Sequence, residues 1–394
     1  MMSALRRIAV VAVGLIAVSG LIAVGPSAQG PQPTRRVPVR GIYGGVPQEI
    51  LDSGRSLREF GIDAVWLGSA SITADRLALL RGQGVQVYAE FNTLHVAEDL
   101  EMYPDAAPIG TDGMVSPPPN GWQGVCPTHG GYRARRMQAF RSLLEQWPID
   151  GVWLDYHHAH ASWEQAEPAM PDTCFCARCL DQFQKATGIS LPAVSTRERA
   201  ALVLGRYREA WVGWRLGVFT DWVRQFAAIR DQVRPTALLG TFHNPWSDSD
   251  HGGARLEKLA IDLRAQAAYI DVFSPMPYHA RFGHVQDPTW ISRQVRWLGQ
   301  HLGVTGAPGE RHRIWPIVQI SDWGEPVPLT QVDTVLTEGA RAPATGVLVF
   351  AWSGLRKSPE KIEAIGRTLR AMASTPTQPA GAPMPAGRFR DPAC

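Results

Sequence analysis

The chain has 394 residues, and its 39 lysines and arginines nearly balance its 36 aspartates and glutamates, which leaves a formal charge of +3. This balance, without any basic stripe, argues against a nucleic acid as partner. The chain carries 14 tryptophans, a side chain whose face stacks well on sugar rings but which also fills protein cores.

The first 30 residues are typical of a secretory signal. Arg6 and Arg7 form a short basic region, residues 8–24 are uninterrupted apolar and small residues, and Ala28-Gln29-Gly30 offers a cleavage site. The alternative is a single membrane anchor, because this run is close to the minimum length that spans a bilayer. We expect a signal peptide over residues 1–30, a secreted or periplasmic protein, and no membrane association once the signal is removed.

Short, nearly continuous apolar runs recur along the chain and predict strands buried on both faces of a parallel sheet. The runs are VRGIYGGV (39–46), DAVWLGSA (63–70), VQVYAEFN (85–92), IDGVWLDYH (149–157), ALLGTFHN (237–244), IDVFSPMPY (270–278), IWPIVQIS (314–321) and GVLVFAW (346–352). Segments with helical spacing lie between them, at residues 74–84, 133–147, 208–232, 287–303 and 358–372.

This alternation predicts an α/β fold, a (β/α)8 TIM barrel, as a single domain over residues 31–374. The alternative is an open doubly wound sheet, but no G-x-G-x-x-G follows the first strand. Residues 375–394 are rich in Pro, Ala and Gly and are expected to form a disordered tail. Long insertions follow the third and fourth strands, at residues 93–131 and 156–200, and loops after the strands form the active face of a barrel.

Four of the five cysteines fall in these two insertions, and the fifth lies in the tail. Cys126 is in the first insertion, and Cys174, Cys176 and Cys179 form a C-x-C-x-x-C motif in the second. Four thiolates close a tetrahedral zinc shell and leave no open position, which is typical of a structural site. The alternative is a disulfide between Cys126 and one of the other three, which an exported chain allows.

Three segments, VCPTHGGYRARRMQAF, DGVWLDYHHAH and CFCARCLDQFQKATG, resemble the catalytic domain of glycoside hydrolase family 42 β-galactosidases and of related hypothetical glycosyl hydrolases. The resemblance is specific over residues 120–190. It implies a glycosidase barrel with a structural zinc bound by Cys126, Cys174, Cys176 and Cys179. FSPMPYHARFG (273–283) is also similar to the sixth-strand segment of uncharacterised barrel hydrolases, which usually act on polysaccharides.

One departure from the family concerns its acid/base residue. The family's fourth strand ends in Asp-Asn-Glu, and the glutamate is the acid/base. Here the same strand ends in Asp155-Tyr156-His157, so Asp155 matches the family aspartate and the glutamate has no counterpart.

Glycoside hydrolysis requires two carboxyl groups, one on each side of the scissile bond. Acids at the ends of predicted strands are Glu90, Asp155 and Asp322. Asp155 directly follows an apolar strand and is expected at the barrel mouth as one essential carboxyl, with Asp322 or Glu90 as the second. A purely structural role for Asp155 is the alternative. Glu164, within the fourth-strand insertion, is interpreted as a loop anchor.

Other polar and aromatic side chains at strand ends are candidates for lining a sugar cleft. They are Tyr43, Trp66, His157, His243, Asn244, Tyr278, His279, Gln319 and Trp352. Histidines, including His158 and His160, are also common metal ligands. However, the first strand lacks the H-x-H motif that barrel metal hydrolases usually place there.

We therefore predict an exported glycoside hydrolase-like barrel that cleaves a glycosidic bond in an oligo- or polysaccharide, with a structural zinc and no organic cofactor. One alternative is a non-catalytic carbohydrate-binding barrel, which would show one acid within aromatic walls. The other is a metal-dependent hydrolase or deacetylase, which would show three converging histidine nitrogens.

Overall fold

The computed structural model describes residues 35–373, so the predicted signal peptide (1–30) and tail (375–394) lie outside the described residues. Nine parallel strands form one sheet in the order β7-β6-β5-β4-β3-β2-β1-β9-β8. Their bounds are β1 Val39–Tyr43, β2 Ala64–Gly68, β3 Gln86–Asn92, β4 Gly151–Asp155, β5 Leu238–His243, β6 Val272–Pro275, β7 Arg313–Ile314, β8 Ile317–Gln319 and β9 Gly346–Phe350.

The sheet closes into a barrel through the segment that the sequence predicts as the seventh strand. Only Trp315 and Pro316 separate β7 from β8, and these two strands stand at the two ends of the strand order. The Trp315 amide donates to the Phe273 carbonyl on β6, and the Leu348 amide on β9 donates to the Pro316 carbonyl. Proline has no amide hydrogen, so the strand is interrupted there. The predicted (β/α)8 barrel is confirmed, with its seventh strand in two pieces.

Helices follow the strands, as the sequence predicts. Their bounds are α1 Gln48–Asp52, α2 Leu57–Phe60, α3 Ala74–Gly82, α4 Asp99–Met102, α5 Gly130–Gln146, α6 Ala177–Thr187, α7 Thr196–Leu204, α8 Arg208–Val233, α9 Ala254–Glu257, α10 Leu263–Gln266, α11 Trp290–Leu302, α12 Val332–Gly339, α13 Trp352–Leu355 and α14 Pro359–Ala373. The five predicted helical segments correspond to α3, α5, α8, α11 and α14. Within residues 35–373, no helix combines the length and apolar character needed to cross a membrane.

A layer of large aromatic rings fills the barrel interior. Trp66 stacks on Tyr88 with ring centroids 4.6 Å apart, and Trp153 stacks on Trp315 at 5.7 Å. Gly41 and Gly240 lie against the Trp66 and Trp153 rings, where a side chain of their own would collide with the indoles. Trp66 is therefore part of the packed core, fully buried, and the expectation that it lines a sugar cleft is corrected.

The insertions after β3 and β4 pack against each other above the barrel. The Phe175 amide donates to the Ile109 carbonyl at 2.9 Å, and Gly110 forms a β-bridge with Thr173. Beneath them lies a second apolar cluster, in which Phe175 stacks on Trp211 of α8 at 5.3 Å. The two insertions thus behave as one structural unit that covers one side of the barrel mouth.

Candidate active site

A cleft of about 210 Å³ opens at the carboxyl ends of the strands. Its lining combines two carboxyl side chains with many aromatic ones: Tyr43, Trp122, Asp155, Tyr156, Glu164, Phe242, Met276, Tyr278, Ile317, Trp323, Phe350, Ala351 and Ser353. Aromatic walls with few polar groups suit a sugar, whose ring has both an apolar face and hydroxyl groups.

Asp155 ends β4 and reaches the cleft floor, where only 7% of the residue is exposed. Its Oδ1 accepts a hydrogen bond from the Tyr156 amide at 2.8 Å, and its carbonyl accepts one from the Thr93 amide at 3.0 Å. Burial raises the pKa of the Asp155 carboxyl well above its ordinary value, and the nearby charges of Glu90 and Glu164 raise that pKa further.

Glu164 reaches the cleft from the insertion after β4. The Arg281 Nε donates to the Glu164 carbonyl at 2.7 Å, and the Arg281 guanidinium lies over the Trp323 ring at 4.6 Å. Burial raises the pKa of the Glu164 carboxyl from 4.5 to about 7, although the charge of Arg281 opposes this shift. The backbone of Glu164 does anchor its loop, as the sequence suggested, but its carboxyl lines the cleft beside Asp155.

Glu90 lies on β3, the strand next to Asp155. Burial raises the pKa of the Glu90 carboxyl, and a hydrogen bond from the Tyr43 hydroxyl lowers it. Gly68 on β2 is paired with Glu90, and a β-carbon at Gly68 would lie 3.4 Å from Glu90 Oε2. The structure thus brings Glu90, Asp155 and Glu164, which we call the carboxyl cluster, within electrostatic range of one another.

Asp322 does not belong to this cluster, which corrects one of the two expected partners of Asp155. Its Oδ1 accepts a hydrogen bond from Lys361 Nζ at 2.6 Å and another from the Val327 amide at 2.9 Å. The carboxylate therefore points to α14 and to its own loop, and more than half of the side chain is exposed. Lys361 and the Val327 amide lower the pKa of Asp322, so it is an ionised loop anchor.

Two of the expected sugar-binding side chains, Tyr43 and Tyr278, line the cleft. Two others are placed elsewhere. The Trp352 indole is buried and donates to Glu49 Oε2 at 2.7 Å. The Gln319 side chain is fully buried, accepts from the Arg281 amide at 3.0 Å and donates to the carbonyls of Ser321 and Trp323, so it orders the loops that form the cleft.

The histidines are buried and bonded mainly to backbone, rather than gathered at one point. His157 bonds the Phe219 carbonyl, His158 that of Ala159, and His243 that of Asn244. Burial lowers the pKa of His157 and of His158 to about 4, and that of His243 to about 3.

The remaining predicted polar residues are likewise buried outside the cleft lining. His279 bonds the Gln331 side chain at 3.2 Å, and Asn244 is fully buried. Among residues 35–373, the four cysteines are the only side-chain group close enough to share a metal ion. The three converging histidine nitrogens that the metal-hydrolase alternative requires do not occur in this part of the chain.

The four cysteines of the two insertions form a compact cluster. Cys126 Sγ lies 3.5 Å from Cys179 Sγ and 3.7 Å from Cys176 Sγ, and all four sulfur atoms lie within 4.8 Å of one another. These cysteines are free, which contradicts the disulfide alternative. Sulfur atoms bound to one tetrahedral zinc at 2.3 Å lie about 3.8 Å apart, so the cluster fits this ion.

Several cleft residues were not among the sequence candidates. Trp122 comes from the insertion after β3, Tyr156 directly follows Asp155, and Trp323 lies in the loop after β8. Tyr156 carries a signal that sequence reasoning can use, because it immediately follows a strand-end acid. Trp122 has no such signal, since it lies 30 residues beyond the end of β3.

No protein-family model matches the sequence, and no curated protein sequence matches it. Solved structures do match the fold. The glycoside hydrolase domain of PgaB (BpsB) from Bordetella bronchiseptica superposes with a TM-score of 0.62 at 13% identity, over 86% of this chain and 99% of that one. The β-galactosidase of Marinomonas ef1 gives 0.60 at 12% identity, over 84% of this chain and 59% of that one.

A family 42 β-galactosidase, Gan42B from G. stearothermophilus, gives a TM-score of 0.57 at 12% identity, over 86% of this chain. This chain spans only 56% of Gan42B, so it corresponds to little more than half of these β-galactosidases. The resemblance inferred from residues 120–190 is confirmed as a shared fold, because the chain has the barrel fold of these glycoside hydrolase structures.

Proposed function

We propose that this protein hydrolyses a glycosidic bond in an oligo- or polysaccharide, with Asp155 and Glu164 as the reacting carboxyl pair. The observation that carries the proposal is the carboxyl cluster at the base of an aromatic cleft. A purely carbohydrate-binding barrel has no need for a second buried carboxyl beside Asp155, whereas hydrolysis requires one.

The electrostatics of the cluster favour Glu164 as the proton donor of the pair. Glu164, with a pKa of about 7, keeps its proton in mildly acidic and neutral solution, as a general acid must. Asp155 receives a hydrogen bond from the Tyr156 amide, which favours its ionised form. Burial is the largest cause of the raised pKa of Asp155, and the charges of Glu90 and Glu164 add to it, so protonation of Glu164 lowers the pKa of Asp155 without removing the effect of burial.

Glu90 then acts as a neighbour rather than as a reacting group. The Glu90 side chain is not part of the cleft lining. Its charge raises the pKa of Asp155 more than the charge of Glu164 does. The Tyr43 hydroxyl, which lines the cleft, connects Glu90 to the substrate space. Glu90 thus adjusts how readily Asp155 ionises.

The test is a hydrolysis screen of the full protein against a panel of polysaccharides, with release of reducing ends as the readout. On any polysaccharide that is cleaved, Asp155→Asn is expected to lower turnover on the order of a thousandfold, about 4 kcal/mol of barrier. Glu164→Gln should cause a loss of similar order, and Glu167→Gln, an exposed glutamate in the same insertion, should have little effect. Near-normal turnover of a folded Asp155→Asn variant would contradict the proposal.

The cysteine cluster supports a structural zinc as part of the same proposal. Cys126, Cys174, Cys176 and Cys179 would hold the ion with no position left for a substrate. The ion would tie the insertion that carries Trp122 to the insertion that carries Glu164. Secretion or periplasmic location after removal of residues 1–30 completes the proposal, on the basis of the N-terminal sequence pattern alone.

A further inference from the structure

Trp122 presents one face to the cleft and rests the other on Tyr156. The two rings are 5.3 Å apart at an interplanar angle of 28°, and 37% of Trp122 is exposed. Tyr156 is the neighbour of Asp155 in the chain. The free indole face therefore lies next to the carboxyl cluster, in the space that a substrate would occupy.

A single histidine ties the segment that carries Trp122 to the insertion that carries Glu164. His160 Nδ1 accepts a hydrogen bond from the Gly124 amide at 2.9 Å, and His160 Nε2 contacts the Pro117 carbonyl at 3.0 Å. A backbone amide only donates and a carbonyl only accepts, so both contacts are satisfied when the ring is neutral with its proton on Nε2. The two bonds fix the backbone on both sides of Trp122.

The packing at this contact leaves no room for a side chain at position 124. A β-carbon at Gly124 would lie 2.8 Å from His160 Cα and 2.9 Å from His160 Nδ1. A turn precedes Trp122, with Asn120 and Gly121 in the left-handed region at φ of 48° and 84°. Asn120 also donates to the Ser162 hydroxyl at 3.4 Å, a further link between the insertions.

We propose that Trp122 is a platform that binds a pyranose ring beside the carboxyl cluster, and that His160 is the residue that positions it. A pyranose whose substituents are mostly equatorial has an apolar face of ring hydrogens, which stacks on an indole as aromatic rings do. The ligand is thus a sugar residue of the same substrate chain that the carboxyl cluster acts on. This inference rests on the proposed function for its choice of ligand.

Binding measured without turnover tests the platform separately from hydrolysis. The probes are tetrasaccharides of β-1,4-linked galactose, glucose, xylose and N-acetylglucosamine, titrated by calorimetry into the full-length Asp155→Asn variant. In this background, Trp122→Ala should weaken the binding of the best tetrasaccharide about tenfold, which corresponds to about 1.4 kcal/mol. Trp122→Phe should retain part of the affinity, because it keeps an aromatic face.

The positioning role of His160 has its own readouts. His160→Ala should lower affinity as much as Trp122→Ala, and the double variant should be no weaker than either, because both remove the same platform. His160→Ala should also speed amide hydrogen exchange in residues 120–124, since residues 117–119 are prolines without amide hydrogens. His160→Asn, whose Oδ1 can still accept from the Gly124 amide, should show a smaller effect. His312→Ala is the control. His312 lies just before β7, at the opposite end of the barrel, and its side chain bonds the Ile270 carbonyl.

The possible outcomes separate the claims. If a tetrasaccharide binds and Trp122→Ala leaves its affinity unchanged, or if no tetrasaccharide binds at millimolar concentration, the platform is refuted. Additive losses for Trp122→Ala and His160→Ala refute the positioning role. Platform-dependent binding by a protein that cleaves none of the polysaccharides supports the platform and refutes the proposed function. Hydrolysis that is lost in Asp155→Asn but unaffected by Trp122→Ala supports the proposed function and refutes the platform.

Discussion

Glu164→Gln provides a test of the carboxyl cluster that needs no substrate. A carboxyl whose pKa is raised by folding binds its proton more tightly in the folded state. That contribution to stability is complete below the unfolded pKa and is lost as the pH rises through the folded pKa. For Glu164 this window runs from 4.5 to about 7. Glutamine keeps the shape and does not titrate, so the variant should gain stability relative to the wild type over this range.

The magnitude follows from the pKa shift. A rise from 4.5 to about 7 corresponds to at most about 3.4 kcal/mol, at 1.36 kcal/mol per pKa unit. Because Glu164 borders an open cleft, water moderates the cost of ionisation, and we expect about 1–2 kcal/mol. With an entropy of unfolding near 2 cal/mol/K per residue, this raises the melting temperature by about 1–3 °C.

The assay is thermal and urea unfolding of wild type and Glu164→Gln at intervals from pH 4.5 to 8.5. The difference between the two proteins should be small at pH 4.5 and reach its full value above pH 8. Titrations that both proteins share, such as those of the cysteines, cancel in this difference. Glu167→Gln, at an exposed position of the same insertion, is the control for the loss of one carboxyl group. A difference that does not change with pH would refute the assignment of a raised pKa to Glu164.

The other predictions concern separate parts of the molecule. Metal analysis of purified protein should find about one zinc per chain, and Cys176→Ser should lower both zinc content and melting temperature; zinc-free protein of full stability would contradict this. Asp322→Asn should leave turnover unchanged and cost about 1 kcal/mol or less, because the Asp322 side chain is more than half exposed and asparagine keeps an oxygen that can accept from Lys361; a large loss of turnover would return Asp322 to the active site. Trp66→Ala should cost about 3–5 kcal/mol of unfolding free energy through an interior cavity, and only a loss of binding at normal stability would restore its predicted cleft role. Secreted protein should begin near Pro31, and N-terminal sequencing that finds Met1 would disprove the signal peptide.

Local sequence patterns predicted the barrel and two of its three clustered carboxyls. Asp155 and Glu90 could be predicted from the sequence because each lies at or near the end of an apolar run, and parallel strands place such residues at one edge of the sheet. The position of Glu164 in the cleft could not be predicted in this way. Its position depends on how a long insertion folds back over the barrel, and this path is set by contacts such as that of Arg281, which is distant in sequence.

The two misplaced candidates have different physical causes. Asp322 follows its strand as expected, but Lys361, 39 residues later, pairs with it and turns it outward. Trp66 faces the barrel interior, but it lies two residues before Gly68, the last residue of β2. It therefore occupies the inward-facing position one level below the barrel mouth. The residue at the mouth on that strand is Gly68, which has no side chain. Depth within a barrel depends on the stagger of neighbouring strands, which a single strand's pattern does not encode.

The interruption of the strand at Pro316 affects where the barrel opens in fluctuations of the native state. Strand β7 is paired with β6 only through Arg313 and Ile314, whereas β3 is paired with β4 along its length from Tyr88 to Asn92. The β6–β7 pairing is therefore the shortest in the ring of strands, and fluctuations of the native state should separate these two strands first. Glu90 and Asp155 of the carboxyl cluster lie on the far, continuous side of the ring, on β3 and β4. Transient separation of β7 from β6 would thus leave Glu90 and Asp155 in register with each other while it loosens the opposite wall.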